Sequence, residues 1–323
     1  MSYVASLEMS AEFVAPCQRM QSSIPLRSIR RITVHDDGLE VFHVVRPRLF
    51  GIAYRMLGSA FEAEDVVQDV WVRWQSTNRG AIQDQPAYLF TSATRLSISV
   101  LQSARVRRET YVGTWLPEPV DTGADPRLGA ERGEALELAV LMLMERLSPL
   151  ERAAYILREA FDYSYDQIAA LLQVNEDNAR QLVSRARKHI SEGRRRPVDP
   201  AQQRRVLETF VNAARHGDLQ GLERLLASDV VSYSDGGGLV RAAQKPIEGR
   251  DRVARFISLV THFWQGVTLS FVDANSQGCV LMSRDGEYVA LATVDASENG
   301  VDRVMWFMRP SKIARLALPL RRK

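Results

Sequence analysis

The sequence predicts a multidomain chain in which two all-α domains precede an α+β domain. Three observations carry this. Apolar residues recur at three- and four-residue steps across 49–74 and again across 136–190, the period of a helix. Beyond residue 204 the pattern turns to strand-like alternation, at Val230, Val231 and Tyr233 and then over 267–272, 278–282, 288–294 and 301–308. Two proline-bearing stretches, 110–134 and 194–203, separate the three patterns. A length of 323 residues fits two or three domains, and 46% apolar residues is ample for their cores.

Composition excludes several classes. Charged residues make up 25%, too little with this apolar content for global disorder. A net charge of +3 says little, but basic residues cluster at 105–108 and 180–196. Cys17 and Cys279 are far apart, so neither a zinc site nor a disulfide framework is expected, and a reducing cytoplasm is. No metal or cofactor is called for. No apolar run of about 18 residues predicts a membrane span. Residues 1–38 lack the charged-then-apolar order of an export signal and read as an extension, with Met9 and Met20 as alternative starts.

The first α domain, 39–109, is expected to hold four helices. Leu49, Ile52, Ala53, Met56 and Leu57 share a face, and Gly58-Ser59 ends that helix. Val66, Val67, Val70, Trp71 and Trp74 make the next stripe, with Glu62, Glu64 and Asp65 where the helix dipole favours negative charge. Pro86 suits the first turn of the last helix. That helix turns Tyr88, Leu89, Ala93, Leu96, Val100 and Leu101 inward. Thr91, Ser92, Arg95, Ser99, Gln102, Arg105, Arg107 and Arg108 face outward. Such hydroxyl, amide and guanidinium groups suit phosphate and base contacts, although composition alone favours a plain solvated face.

The second α domain, 135–193, has a helix marked by Leu136, Ala139, Val140, Leu143 and Leu147. Ser148-Pro149-Leu150-Glu151 then supplies an N-cap, a proline at the first helical position and an acid in the first turn. SYDQIAALLQVNEDNARQLVSRARKHI follows: a helix, a turn near Gln173–Asn175 and a basic second helix. This is a helix-turn-helix pattern, whose second helix enters the major groove by its N-terminal residues. Asn175, Glu176, Asp177, Asn178, Arg180 and Gln181 would meet base edges or nearby phosphates. Ser184, Arg185, Arg187 and Lys188 would mostly meet phosphate.

The α+β domain, 204–317, opens with helices over 204–216 and 219–227. Asp229, Asp235, His262 and Asp273 are its candidates for acid–base work, but none has a partner at a diagnostic spacing. The segment Asp235-Gly236-Gly237-Gly238 permits close backbone approach or positive φ. Pro319–Lys323 lies in a short basic tail, 318–323.

Several stretches resemble a known family. AYRMLGSAFEAEDVVQDVWVRW is similar to region 2 of bacterial extracytoplasmic-function (ECF) sigma factors of the sigma-70 family. QPAYLFTSATRLSISVLQSARVRRE resembles their regions 2.3–2.4, and LSPLERAAYILREAFDYSYDQIAALL resembles region 4. YVGTWLPEPV and the DGGG segment resemble signatures of the sigma factors that carry a SnoaL-like C-terminal domain, as do DLQGLERLLASDVVSYSDGGGLVRAAQKPIEGRDRVARFI and RPSKIARL. The implied fold is a region 2 helical bundle, a region 4 helix-turn-helix and a SnoaL-like cone with a curved antiparallel sheet. Departures are Ser97 and Ser99 where Ala and Asp are common, Gln173 for a turn glycine, and Leu239 for Lys.

The resemblance implies a function and its residues. Asp65, Gln68, Asp69 and Trp71 would hold the RNA polymerase clamp, region 4 would also reach the flap, and promoter DNA is the second partner. Asn78, Asp84, Tyr88, Ser92, Arg95, Ser99, Arg105, Arg107 and Arg108 would capture the −10 element, with the Asn78–Gln85 loop as the base pocket. Residues Asn175 to Lys188 would read the −35 element. Trp115, Leu116, Pro117, Glu118 and Pro119 of the linker would meet Asp235, Gly236, Gly237 and Gly238 and set domain placement. The C-terminal domain would modulate transcription in cis without an anti-sigma factor, and would have room for a small-molecule ligand. A stand-alone helix-turn-helix regulator and a SnoaL-type isomerase or cyclase stay open as alternatives. Neither needs a clamp-binding helix or a −10 reader.

Overall fold

The computed structural model describes residues 37–109, 111–121, 137–240, 242–314 and 316, with backbone alone at 37 and 104–109. The extension 1–36, most of the linker over 122–134 and the tail 318–323 lie outside the described residues.

The first body is three helices rather than the four expected, α1 (Asp37–Leu57), α2 (Ala60–Ser76) and α3 (Gln85–Glu109), with a short 3-10 turn at Arg79–Ala81 in the loop between α2 and α3. Gly58 ends α1 at φ +64°, a conformation glycine adopts without a Cβ penalty. Ser59 caps α2 by accepting from the Glu62 amide. The apolar stripes meet as their spacing requires: Leu49, Ile52, Met56, Val66, Val70, Trp74, Leu89 and Ala93 are buried together.

The second body holds α4 (Leu138–Met144), α5 (Pro149–Glu159), α6 (Tyr165–Leu172) and α7 (Glu176–Gly193). Ser148 and Glu151 form a capping box at α5, and Ser164 and Gln167 form another at α6. The α6–α7 turn passes through Gln173 at φ 58°, ψ 44°. The left-handed conformation is kept although glycine is absent, at a cost of about 1 kcal/mol.

The third body begins with α8 (Pro200–His216) and α9 (Leu219–Leu225), and α10 (Arg250–Leu259) and α11 (Pro310–Ile313) come later. Its strands are β1 (Leu226–Asp235), β2 (Ile247–Glu248), β3 (Thr268–Ala274), β4 (Gln277–Arg284), β5 (Glu287–Ser297) and β6 (Gly300–Phe307). They form one sheet in the order β2-β1-β6-β5-β4-β3. The sequence predicts an antiparallel sheet, and every pair obeys this except β1 and β6, which run parallel because the chain crosses from one to the other through α10 and the β3–β5 meander. Register shifts between Leu226/Val231, Met282/Ser283 and Asp295/Ala296 bend the strands and give the α+β cone its curvature.

Strand alternation gives this sheet two different neighbours. Val280, Met282, Ala292, Val304 and Trp306 face inward onto α8, α9 and α10. Cys279, Leu281, Leu291, Met305 and Phe307 point to the other face and share one buried cluster with the two helical bodies. The sheet is therefore a wall of the helical core as well as of its own.

Candidate polymerase and nucleic-acid interface

On α2, Asp65, Gln68 and Asp69 are exposed, and the half-buried Trp71 rests on Phe42 with ring centroids 4.8 Å apart. The structure adds two residues that sequence reasoning missed. Phe61 and Val72 are 63% and 57% exposed and share the face of Asp65 and Gln68 at four- and three-residue steps. Large apolar groups are expected in the core, and the offset of these two from the Val66–Val70–Trp74 stripe is the signal in the sequence. Acidic, amide and bare apolar groups on one rigid helix can seat a partner surface through an apolar centre with a polar rim.

The −10 candidates divide. Tyr88 is exposed at its rim, 5.9 Å from the Trp74 ring, with its hydroxyl 3.3 Å from that of Thr77. Ser99 is exposed and Ser92 donates back to the Tyr88 carbonyl. Asp84 accepts from the Ala87 amide and so caps α3, a structural duty that leaves less of it for a base. The expected pocket over Asn78–Gln85 contains the 3-10 turn, with Asn78 at its start and Arg79 lying over Trp74 at 5.4 Å. Arg95 does not face open solvent alone: its Nε donates to the Leu171 carbonyl of α6, 3.3 Å away. Side chains of Arg105, Arg107 and Arg108 lie outside the described residues.

In the helix-turn-helix, Asn175 caps α7 by accepting from the Asn178 amide at 2.8 Å. Ala179, Leu182, Val183, Ala186 and Ile190 are buried, which leaves Glu176, Asp177, Arg180, Gln181, Ser184, Arg185, Arg187 and Lys188 on the outer face. Arg180 pairs with Glu176 and lies 4.5 Å over the Tyr165 ring. Arg187 is held by Glu159 at 2.6 Å, which raises its pKa further. Lys188 is more loosely placed, 3.8 Å from Glu192.

The two helical bodies are packed on each other. Arg152 is buried and donates to the Arg55 carbonyl at 3.1 Å. Arg48 donates to the Phe161 carbonyl at 3.2 Å and lies over the rings of Phe90, Phe161 and Tyr163.

Residues 111–121 form a strap between α1–α2 and the sheet. Asp235, fully buried at the end of β1, accepts from the Tyr111 hydroxyl at 2.6 Å, the Leu116 amide at 2.9 Å and Lys312 Nζ at 2.7 Å. Lys312 also donates to the Leu116 carbonyl and lies 4.6 Å over the Trp115 ring. Burial lowers the pKa of Lys312 against the pull of Asp235. Burial and the bond to Asp235 push the Tyr111 phenol up to about 12. Gly237 sits at φ 58°, where a Cβ would lie 2.9 Å from the Tyr111 hydroxyl. Gly238 packs on Val112, while Gly236 accepts the Val240 and Leu239 amides in its own turn.

Further along, Glu118 caps α2 from outside. Its carboxylate takes the Ala60 and Phe61 amides at 2.7 and 3.2 Å and the Ser59 hydroxyl at 3.1 Å. Tyr54 donates to the Glu118 carbonyl at 2.6 Å and accepts from Asn275 Nδ2 at 2.7 Å; Asn275 also takes the Val120 amide. Pro117 and Pro119 are buried between these anchors. Tyr54, Asn275 and Lys312 were not read from the sequence. Tyr54 and Lys312 did lie in quoted family-like segments, AYRMLGSAFEAEDVVQDVWVRW and RPSKIARL, and Asn275 had no such signal.

The acid–base candidates are dispersed. Asp235 is taken up by the strap, Asp229 is bound by Arg195, and Asp273 lies beside Arg204 at the surface. His262 rims a cleft inside the cone. Two arginines of the second linker are tied down in ion pairs. Arg194 pairs with Glu137 and Arg195 bridges Asp229 and Asp302. Among the described residues no group of His, Cys, Asp and Glu is arranged to hold a metal ion, and no helix is long and apolar enough to cross a membrane.

Comparison with known proteins agrees with this arrangement. Sigma-70 region 2 matches residues 41–107 and sigma-70, region 4 matches residues 137–190. The chain is 38% identical over 236 residues to the ECF RNA polymerase sigma factor SigJ of Mycobacterium tuberculosis, covering 70% of this chain and 74% of that one. It is 33% identical to the probable ECF RNA polymerase sigma factor SigI of Mycobacterium tuberculosis, over 62% of this chain and 71% of the relative. The crystal structure of Mycobacterium tuberculosis SigJ superposes with a TM-score of 0.69 at 30% identity, covering 86% of this chain and 98% of that chain. With helical bodies matching regions 2 and 4 in order and that degree of identity, the chain belongs to the ECF RNA polymerase sigma factors of the sigma-70 family.

Proposed function

We propose that this sigma factor is a self-restrained initiation subunit: the strap and the α+β body hold regions 2 and 4 closed, and transcription requires their release. The α2 face from Phe61 to Val72 takes the polymerase clamp, the outer face of α3 takes the −10 strand, and the outer face of α7 reads the −35 duplex. The chain performs no catalytic step of its own.

The single observation that carries the restraint is the Asp235 node, which ties Tyr111, Leu116 and Lys312 together in a buried site. Geometry supports the need for release. The −10 and −35 elements are separate stretches of one duplex, which lengthens by about 3.4 Å with each base pair between them. Arg95 on the −10 side is hydrogen-bonded to Leu171 on the −35 side, so both readers cannot hold their elements in this arrangement. An internal restraint of this kind takes over what a separate anti-sigma protein would do.

The test is transcription in vitro with bacterial core polymerase. The full chain is compared with Trp115→Ala, with Asp235→Asn and with a chain ending at residue 203, on a promoter library. Promoter-specific transcripts whose yield rises in all three variants, at unchanged affinity of region 4 for −35 duplex, support the reading, and a lowered yield counts against it. Unchanged yield refutes it.

A further inference from the structure

When the two promoter readers part, the α+β body can follow region 2 or region 4, and the linkers distinguish the two. Only residues 194–199 separate the end of α7 from the start of α8, against 110–137 between α3 and α4. An extended chain gains at most about 3.6 Å per residue, so the second linker spans no more than roughly 25 Å and the first reaches roughly 100 Å. Region 4 therefore stays near the α+β body whatever else moves.

The short linker is also clasped. Arg303 of β6 donates to the carbonyl of Gly193, the last residue of α7, where helix carbonyls lack an internal partner and the dipole favours a cation. Asp295 of β5 holds Arg303 in turn, at 2.7 Å. Arg194 binds Glu137, the N-cap residue of α4, and its guanidinium lies 3.8 Å from the other oxygen of Asp295. Side-chain exposure is 15% or less for Arg194, Asp295 and Arg303, so salt screens these pairs far less than surface ones. The next residue, Arg195, bridges Asp229 of β1 and Asp302 of β6. The Val198 amide then donates to the Ala296 carbonyl of β5 at 3.0 Å. One chain of alternating charges thus runs from the start of α4, through the sheet, to the end of α7, and fastens region 4 to β5 and β6 at both of its ends. Removing any one member strands its buried partner.

We propose that this clasp makes region 4 and the α+β body one rigid unit, and that region 2 alone leaves it when the sigma factor opens. The proposal rests on the release from the strap proposed above and says which part is released. Strap and clasp then have different duties. The first lets region 2 go, and the second keeps the α+β body beside the −35 reader throughout initiation.

Pulsed EPR distances on the full chain test this. Spin labels go on exposed positions, His43→Cys in region 2, Arg146→Cys in region 4 and Thr209→Cys in the α+β body. The background is Cys17→Ser, and the buried Cys279 escapes the label. Each pair is read in the free chain and in the chain bound to bacterial core polymerase. On binding, His43–Thr209 is expected to lengthen, while Arg146–Thr209 keeps the distance and width it has in the free chain. A lengthened or broadened Arg146–Thr209 overturns the proposal and leaves the release of region 2 standing. If both pairs stay fixed, the release itself is wrong and the proposal falls with it. Arg194→Ala combined with Arg303→Ala should broaden Arg146–Thr209 in the bound state, within the reach of the short linker. A folded double variant with an unchanged distribution also overturns the proposal. The first two readings need only labels at exposed sites, so a double variant that fails to fold does not decide the matter.

Discussion

Removing Asp235 should unfasten the strap, and the loss can be worked from its surroundings. Asp235→Ala strands the buried ammonium of Lys312 beside two neutral donors, Tyr111 and Leu116. Breaking one side of a buried ion pair costs about 3–5 kcal/mol. Proton loss caps the figure, since neutralising an amine of ordinary pKa 10.5 at pH 7 costs about 5 kcal/mol. Hydrogen exchange of residues 115–121 reads this directly, because the Leu116 amide donates to Asp235 itself. Protection there should fall roughly 10²- to 10⁴-fold. Lys312→Met should also lower protection in the unaltered chain. In the Asp235→Ala background it should raise protection, because it removes the stranded charge. That change of sign is the test. If Lys312→Met lowers protection further in the Asp235→Ala background, the two groups act independently and the reasoning fails.

Three other expectations follow from geometry already described. Phe61→Gln with Val72→Glu should leave the unfolding midpoint within about 0.5 kcal/mol of the parent, as exposed positions do, yet reduce core-polymerase binding at least tenfold in a pull-down titration; unchanged binding would move the interface off this face. Lys188→Ala should shrink the salt slope of −35 duplex binding by about 0.9 per lost phosphate contact, whereas Arg187→Ala, whose side chain is held by Glu159, should change it less; anisotropy titrations between 50 and 200 mM salt (roughly the range over which such slopes are read) separate the two. Cys279 and Tyr111 have folded pKa values raised to about 12, above ordinary values of 9.0 and 10.0, burial being the largest cause in each. Their contribution to stability is whole below about pH 9 and is lost as pH rises toward 12, so urea midpoints should fall across that window and fall less steeply in Cys279→Ala.

What could be read from the sequence was whatever is encoded locally. The stripe Val66–Val70–Trp74, the Ser148–Glu151 capping box and the alternation through β4 and β5 each depend on residues a few positions apart, and each appears where its spacing places it. The strap was legible in two ways: Tyr111, Trp115 and Leu116 are large apolar groups in a proline-rich stretch, and the family resemblance set Trp115 to Pro119 against Asp235 to Gly238. The bonds that hold its far end were not legible, because Tyr54 meets Asn275 across 221 residues and no periodicity spans that distance. Asp84 shows another limit. A carboxylate before a helix reads equally as a cap or as a ligand, and here it is hydrogen-bonded as a cap. Phe61 and Val72 were hidden by the rule that large apolar residues lie inside, which a binding face breaks.

The shared core has a consequence in time. Regions 2 and 4 are complete once the ribosome has passed Gly193, but Asp235, Asn275, Phe307 and Lys312 are still to be made. At translation rates of 5–20 residues per second, the roughly 120 residues up to Lys312 take about 6–24 s. During that interval the nascent chain carries both promoter readers with no strap anchor to close on and no sheet to cover Tyr54 and Leu116. On the proposed restraint, each newly made molecule passes through a stage in which only direct contacts between the two helical bodies, such as Arg152 with the Arg55 carbonyl, hold it closed, and the speed of synthesis sets how long that stage lasts.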